Sequence, residues 1–420
     1  MARERVTAGA RAATDASVTP PDPAATKVIS TRSRPRPDSP LRGLRRAPSG
    51  GGPGARAIGW ITSAPVVSWV TARLVVGAAL AFSHFLATRM GTHDPLGRGP
   101  TGLLGWDAEW YLRIAMHGYA GSAPEAMRFF PLLPLLAKPL AWIAGPRLAL
   151  LAVTNVASLV AGVLLHRLAL LETGDRRLAD RAAWLIALLP PAFVLVMGYA
   201  ESLMLVLSIG AFLAMRSDRW HWAVVAGFLG GLTRPLGVLL VLPAGWEAWR
   251  GWSAAPPRDR ARRVAAVASP VAGLAVYLLW SWAAVGDALR PLRLQQDASR
   301  RGGFANPFGR LAHAGSDLLS GRDLGSGLHL PWAILFVGLL VVLYRRWPAS
   351  YALFATVIVA VAVSASNLDS LERYGLSAFP LALALADLVR PPWAERAVFA
   401  LAASGMAIYA TLAFLGAYVP

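Results

Sequence analysis

Apolar runs long enough, or nearly long enough, to cross a bilayer recur along the chain at about 66–88, 148–171, 182–199, 201–215, 264–285, 330–344, 350–366, 375–389 and 396–418. Two further runs are interrupted. Residues 129–144 open on Phe129-Phe130-Pro131-Leu132-Leu133-Pro134 and carry Lys138-Pro139, which suits a short or re-entrant helix better than a clean span. Residues 221–246 are broken by Thr233-Arg234-Pro235-Leu236-Gly237, as expected of two half-helices meeting inside the membrane. The pattern predicts an all-α polytopic membrane protein with about 9–11 membrane segments, short and re-entrant helices included. The run at 66–88 starts some sixty residues in and is not followed by a small-residue cleavage site, so it is expected to stay as a span.

Composition agrees with this class: 55% of residues are hydrophobic, 15% are charged and the mean hydropathy is +0.48. Residues 1–65 carry eleven Lys/Arg against four acids, a surplus of seven out of the formal +18. Their Pro, Ser, Gly and Arg content cannot bury a core, so 1–60 reads as a disordered basic tail beside anionic lipid on the cytoplasmic side. That leaves 61–420 as the membrane domain. No aromatic interleaving or folded module accompanies the charge, and nucleic acid is not an expected partner. The chain has no cysteine, which excludes disulfides, thiolate zinc sites, iron–sulfur clusters and cysteine nucleophiles.

With the tail inside, the positive-inside rule places the basic stretches 172–181, 216–219, 250–263 and 345–346 in the cytoplasm. The first outer loop is then 89–128, and 190–202, 286–329 and 367–374 also lie outside, with the tip of the broken hairpin facing the same cavity. The long loop 286–329 holds six arginines (290, 293, 300, 301, 310 and 322) against the charge rule, which long loops obey loosely. Arginines above an outer cavity suit an anionic phosphate on a lipid donor.

Gly105-Trp106-Asp107-Ala108-Glu109-Trp110-Tyr111 sets acids among aromatics just after the first span. Carboxylates beside a bilayer are costly unless solvated or paired, which makes Asp107 the first catalytic candidate; the plainer reading is a solvated acid at a helix start. On a helix, Asp107 and Glu109 diverge by about 200°, so one works and the other supports. The pair leaves room for a divalent ion, although two acids without a third ligand do not make a metal site. Trp110 and Tyr111 begin an amphipathic stretch suited to the interface, where anchoring alone would explain them. Glu201 in Tyr199-Ala200-Glu201-Ser202 either meets substrate or caps the next helix. Arg234 lies inside an apolar run, a place arginine occupies only when paired or facing water. Arg373, beside Tyr374, either binds phosphate or anchors the interface. No Walker A, Rossmann, HExxH or GxSxG element occurs.

In this order, Trp106-Asp107 through Tyr111-Leu112-Arg113-Ile114-Ala115, Phe129-Phe130-Pro131-Leu132-Leu133-Pro134-Leu135, Tyr199-Ala200-Glu201-Ser202-Leu203, Leu232-Thr233-Arg234-Pro235-Leu236-Gly237, Gly286-Asp287-Ala288, Arg373-Tyr374 and Phe379-Pro380 resemble the PIG-V family of mannosyltransferases and its bacterial relatives. The resemblance covers about 66–390 and implies a GT-C bundle in the cell membrane, with its active site on the outer face. It also implies mannose transfer, with inversion, from a polyprenyl-phosphate carrier to a glycolipid, glycan or protein acceptor. An acid of the first outer loop, matched by Asp107, stands at the reaction centre. In that scheme Asp107 is the base, Arg234 and Arg373 meet the phosphate, Glu201 orients a sugar hydroxyl, and Trp106, Trp110 and Tyr111 contact acceptor or interface. One departure is Gln295-Gln296-Asp297-Ala298-Ser299-Arg300, which lacks the tryptophan the family often has in the long loop. Two other readings stay open: a lipid-linked-sugar flippase, which would also use broken helices and buried arginine, and a non-catalytic subunit of a glycosylation complex.

Overall fold

The computed structural model describes residues 59, 61–89, 102–297, 302–320, 329–366 and 368–418. The basic tail expected over 1–60 lies almost wholly outside these residues, as do 90–101 of the first outer loop, 298–301 and 321–328 of the long one, and Asn367. Sixteen helices follow in order among the described residues: α1 Ala64–Arg89, α2 Asp107–His117, α3 Leu132–Ala144, α4 Pro146–Thr173, α5 Arg176–Leu188, α6 Glu201–Arg216, α7 Trp220–Gly231, α8 Val241–Arg250, α9 Pro257–Val285, α10 Arg290–Arg293, α11 Pro307–Ser320, α12 His329–Arg346, α13 Ala349–Val363, α14 Leu371–Ser377, α15 Pro380–Leu388 and α16 Pro392–Phe414. Short 3₁₀ turns cover Pro124–Arg128, Pro190–Leu195 and Pro235–Leu240.

Helices α1, α4, α9, α12 and α16 are long and apolar enough to cross a membrane, the mark of a multi-pass membrane protein. In the first of them, α1, the buried face is set by small residues. In α1 the buried positions Ala72, Val76, Ala79 and Ser83 recur at helical spacing, while Leu74, Phe82 and Phe85 stay on the outside. Tight turns set the helix order. Gly174 closes α4 in the left-handed region, and Asp175 then accepts from the N–H groups of Arg177 (2.8 Å) and Leu178 (3.2 Å) to start α5.

Three of the apolar runs are subdivided. The run 182–199 is α5 plus a 3₁₀ turn, because Pro190 and Pro191 offer no N–H to continue an α-helix. The run 375–389 is divided near Pro380 into α14 and α15. The expected break in 221–246 is present: α7 (12 residues) and α8 (10 residues) flank an extended Arg234 and a 3₁₀ turn. The segment 129–144 forms the 13-residue α3, short as its prolines imply.

The broken hairpin is seated by glycines. A Cβ added at Gly273 of α9 would overlap the Phe228 carbonyl of α7, and one at Gly231 would overlap the Pro270 carbonyl. The backbones therefore touch, the close packing that small residues permit in membranes. At its tip, the Leu132 N–H of α3 donates to the Leu232 carbonyl at 3.2 Å.

Two polar clusters lie at opposite ends of α6. Arg216, its last residue, bonds Glu172 of α4 at 2.5 and 3.0 Å and approaches Glu247 of α8 at 3.5 Å. Ser350 donates to Glu247 (2.6 Å) and Tyr351 to Glu172 (3.0 Å), so α13 joins the same knot. Glu201, its first residue, belongs to the other cluster. Arg73 of α1 donates to Asn155 Oδ1 (2.9 Å), to the Trp69 carbonyl (3.1 Å) and to the carbonyl of Leu195 (3.2 Å), the last residue of the Pro190–Leu195 3₁₀ turn.

Candidate active site

Helix α2 begins at Asp107, and Trp106 ahead of it takes a left-handed backbone (φ 58°) that turns the chain into the bundle. An acid in the first turn is favoured by the positive helix end. The Asp107 carboxylate accepts from Arg373 Nη1 of α14 at 2.5 Å, and Arg128 Nη2 stands 3.8 Å from its other oxygen. Its own backbone N–H donates to the Tyr199 hydroxyl at 3.3 Å. Arg373 also reaches Glu201 through Nε at 3.3 Å and donates to Ser370 Oγ at 3.1 Å. Glu201, 2% exposed, is ion-paired with Arg234 at the hairpin break.

Five chain segments therefore meet through five charges: Arg128, Asp107, Arg373, Glu201 and Arg234. Three guanidinium groups face two carboxylates, leaving one surplus positive charge in a site whose charged side chains are no more than 25% exposed. Aromatic rings line it. Arg373 Cζ lies 5.5 Å from the Tyr199 ring, Arg234 Cζ 5.6 Å from Tyr374, and Arg128 Cζ 4.7 Å from Phe129. Burial works to raise the Asp107 pKa, but the charges of Arg373 and Arg128, the hydrogen bond from Arg373 and the charge of Arg234 outweigh it and hold the carboxyl below its ordinary value. For Arg373 the same balance runs the other way: burial disfavours its charge, and Asp107 and Glu201 more than offset this.

The structure brings together Asp107, Glu201, Arg234, Arg373 and Tyr374, with Tyr111 buried nearby and edge-on to Phe129 at 5.2 Å. Trp110 stacks on the same Phe129 at 5.6 Å and is half-buried. Two of the sequence candidates point elsewhere. Glu109 pairs with Arg113 at 2.7 Å on the solvent side, both 54% exposed, because two residues along a helix turn it away from Asp107. The Trp106 indole donates to the Ala413 carbonyl of α16 at 2.9 Å and so ties α2 to that span. With the two acids parted, the Asp107–Glu109 pair is no metal centre, and among the described residues no group of three His, Asp or Glu could hold one. Arg128 is absent from the sequence candidates, and Tyr199 stands among them only as part of the motif that carries Glu201. The signal available for Arg128 was its charge directly abutting Phe129-Phe130-Pro131. Its backbone is fixed by Gln295 of the long loop, whose Nε2 donates to the Arg128 carbonyl at 2.6 Å.

Residues 78–241 match the model of the family described as Mannosyltransferase (PIG-V). Asp107, Arg128, Glu201 and Arg234 fall inside that stretch and Arg373 beyond it, so the resemblance read from the motifs holds over this part of the chain. Similar curated proteins include GPI alpha-1,6-mannosyltransferase 2 of Cricetulus griseus, 38% identical over 133 residues, and of Rattus norvegicus, 36% identical over 133 residues. Each alignment covers 29% of this chain and 26% of the relative, about a quarter of the relatives' own length. Among solved structures, the Archaeoglobus fulgidus oligosaccharyltransferase tethered with an acceptor peptide aligns with a TM-score of 0.43 and 15% identity, over 83% of this chain and 55% of that one. Its apo form aligns with a TM-score of 0.43 and 15% identity, over 82% and 56%.

Proposed function

We propose that the chain is a membrane glycosyltransferase of GT-C type that transfers mannose, with inversion, from a polyprenyl-phosphate-mannose donor to a glycolipid, glycan or protein acceptor at the outer face of the membrane. The observation that carries this reading is the set of three guanidinium groups, Arg128, Arg234 and Arg373, gathered on two carboxylates, Asp107 and Glu201, with one positive charge in surplus. Transfer from a lipid phosphate needs cations to take up the charge of the departing phosphate and a base for the acceptor proton.

The resting contacts suggest the sequence of events. A donor phosphate competes with the two carboxylates for Arg373 and Arg234, since guanidinium groups bind phosphate, like carboxylate, with two parallel hydrogen bonds. As Arg373 turns to the phosphate, Asp107 Oδ2 loses its closest cation and its basicity rises. The acceptor hydroxyl oxygen then attacks the anomeric carbon on the face opposite the phosphate, and its proton passes to Asp107. The bond from anomeric carbon to phosphate oxygen breaks, and its electron pair stays on the phosphate held by Arg373 and Arg234. Glu201 keeps Arg234 in place and orients a sugar hydroxyl. The stacked Trp110 and Phe129 rings, with Tyr111, form the apolar floor on the acceptor side.

The test is mannose transfer from polyprenyl-phosphate-mannose by detergent-purified wild type and Asp107→Asn, with insertion checked in both. Wild-type transfer, reduced about 10²–10⁴-fold in the variant, is expected of a lost general base. Equal transfer by both would move the base to another group. Silence of the wild type with every acceptor class would favour the flippase or subunit reading instead.

A further inference from the structure

We infer that His329 is a positioning residue for this reaction: through Glu372 it holds the short helix that presents Arg373 to Asp107. The inference rests on the transfer reading above for its kinetic consequence, and on contacts of its own for its structural one.

Helix α14 has only 7 residues and no side-chain cap at its N-terminus. A helix this short does not hold itself together and must be pinned by its surroundings. Glu372 and Arg373 are consecutive on it, about 100° apart around the axis. Arg373 faces Asp107 and Glu201, while Glu372 faces away from them, into the protein. There the Glu372 carboxylate is 1% exposed, a costly state unless partnered. His329 Nδ1 lies 2.6 Å from Glu372 Oε1, and the Tyr418 hydroxyl donates to the other oxygen at 3.4 Å. His329 Nε2 is also 3.9 Å from Asp369 Oδ1, on the segment leading into the helix. The imidazole thus holds Glu372 by a hydrogen bond and stands beside Asp369, so it lies against the chain on both sides of Ser370, the residue whose hydroxyl accepts from Arg373.

The grip is itself anchored. His329 is the first residue of α12, and one turn on, Trp332 Nε1 donates to the Tyr409 hydroxyl of α16 at 3.0 Å. A Cβ at Gly375 of α14 would overlap the Phe336 ring of α12, so the ring lies directly against the α14 backbone. The line of contacts therefore runs from α16 through α12 and His329 to Glu372, Arg373 and Asp107. Displacing a transition-state contact by 1 Å costs on the order of 10²-fold in rate. Arg234 still holds the donor phosphate before reaction, and the charge on that phosphate grows as its bond to the anomeric carbon breaks, so a displaced Arg373 acts chiefly on kcat.

Two variants separate positioning from bulk stability. In His329→Ala the grip is lost; in His329→Asn the amide Nδ2 stands close to the place of imidazole Nδ1 and still donates to Glu372. With folded protein matched by gel filtration, the Ala variant is expected to lose about 10–100-fold in kcat, with donor KM within about threefold, and the Asn variant to keep most of its kcat. Wild-type kcat in the Ala variant would overturn the inference. So would equal loss in both variants, or a loss confined to KM. A second readout needs no activity and stands even if the transfer reading fails. The chain has no cysteine, so Ser377→Cys, buried on α14, gives a single reporter. Its reaction with a maleimide should quicken about tenfold or more when His329→Ala is added, and stay slow with His329→Asn, since α14 opens locally only when its pin is gone. Unchanged reactivity in the Ala background would overturn the inference on structural grounds alone.

Discussion

Replacing Glu201 by Gln keeps the side-chain volume and removes a charge that Arg234 and Arg373 share. The five-membered cluster then passes from one surplus positive charge to two, in a site where Arg234 and Arg373 have little water to turn to. At the 3.3 Å separation of Arg373 Nε and Glu201 Oε1, the Coulomb attraction is about 5 kcal/mol at an effective dielectric of about 20. Arg373 keeps Asp107 in the variant, whereas Arg234 is left facing a neutral amide. Breaking a buried pair in this way costs about 3–5 kcal/mol. A large membrane protein unfolds irreversibly, so the measure is the half-life of detergent-solubilised protein at a fixed temperature, which should shorten about 100-fold or more if that cost falls mainly on the barrier to unfolding. The same surplus charge makes an anion more valuable to the variant than to the wild type. Polyprenyl phosphate added to the assay should lengthen the half-life of Glu201→Gln by a larger factor than that of the wild type. A half-life within about threefold of wild type, or equal protection of both proteins, would refute the view of Glu201 as the shared counter-charge of the two arginines.

Three other expectations follow from the same contacts. Because the Asp107 pKa is lowered in the folded protein, its contribution to stability is fully present above the ordinary carboxylate value of about 4 and is lost as pH falls through the lowered one; the pH dependence of kcat/KM should show no Asp107-dependent acid limb between about 5 and 8, and such a limb near pH 6 would count against the resting pairing. Glu109→Gln, which removes an exposed pair one turn apart, should change stability by no more than about 0.5 kcal/mol and leave mannose transfer within about twofold of wild type; a large loss would return Glu109 to the site. Gly273→Leu should cost about 1–3 kcal/mol through overpacking and depress transfer further by moving the hairpin tip that carries Arg234, whereas normal transfer would show that the tip does not depend on this contact.

The spans, the break at Arg234 and the membership of Asp107, Glu201, Arg234 and Arg373 in one polar cluster were legible because a charge among apolar residues is costly and must find a partner. Pairing partners were not legible, since nothing in the spacing of Arg128, Asp107 and Arg373 says that they meet. Glu201 shows how two readings merge: it stands in the first turn of α6, as a helix-end acid should, and it also pairs with Arg234 and Arg373. Glu109 and Trp106 were drawn toward the site by proximity in sequence, while the helix that starts at Asp107 turns the first to solvent and the left-handed residue before it sends the indole to α16. The run 182–199 read as one continuous segment because hydropathy ignores the missing N–H groups of Pro190 and Pro191. His329 and Glu372 stand 43 positions apart, a separation that gives no hint of contact.

Helix α6 carries an ionised side chain at its first residue and another at its last, each locked into a different knot of the bundle. Its 16 residues span about 24 Å, and that length is fixed. Adding or deleting one residue would swing Arg216 by about 100° and shift it 1.5 Å, out of reach of Glu172. The helix therefore behaves as a ruler: in a thicker or thinner bilayer it cannot slide to follow the lipid, and the long spans not tied to it must tilt around it.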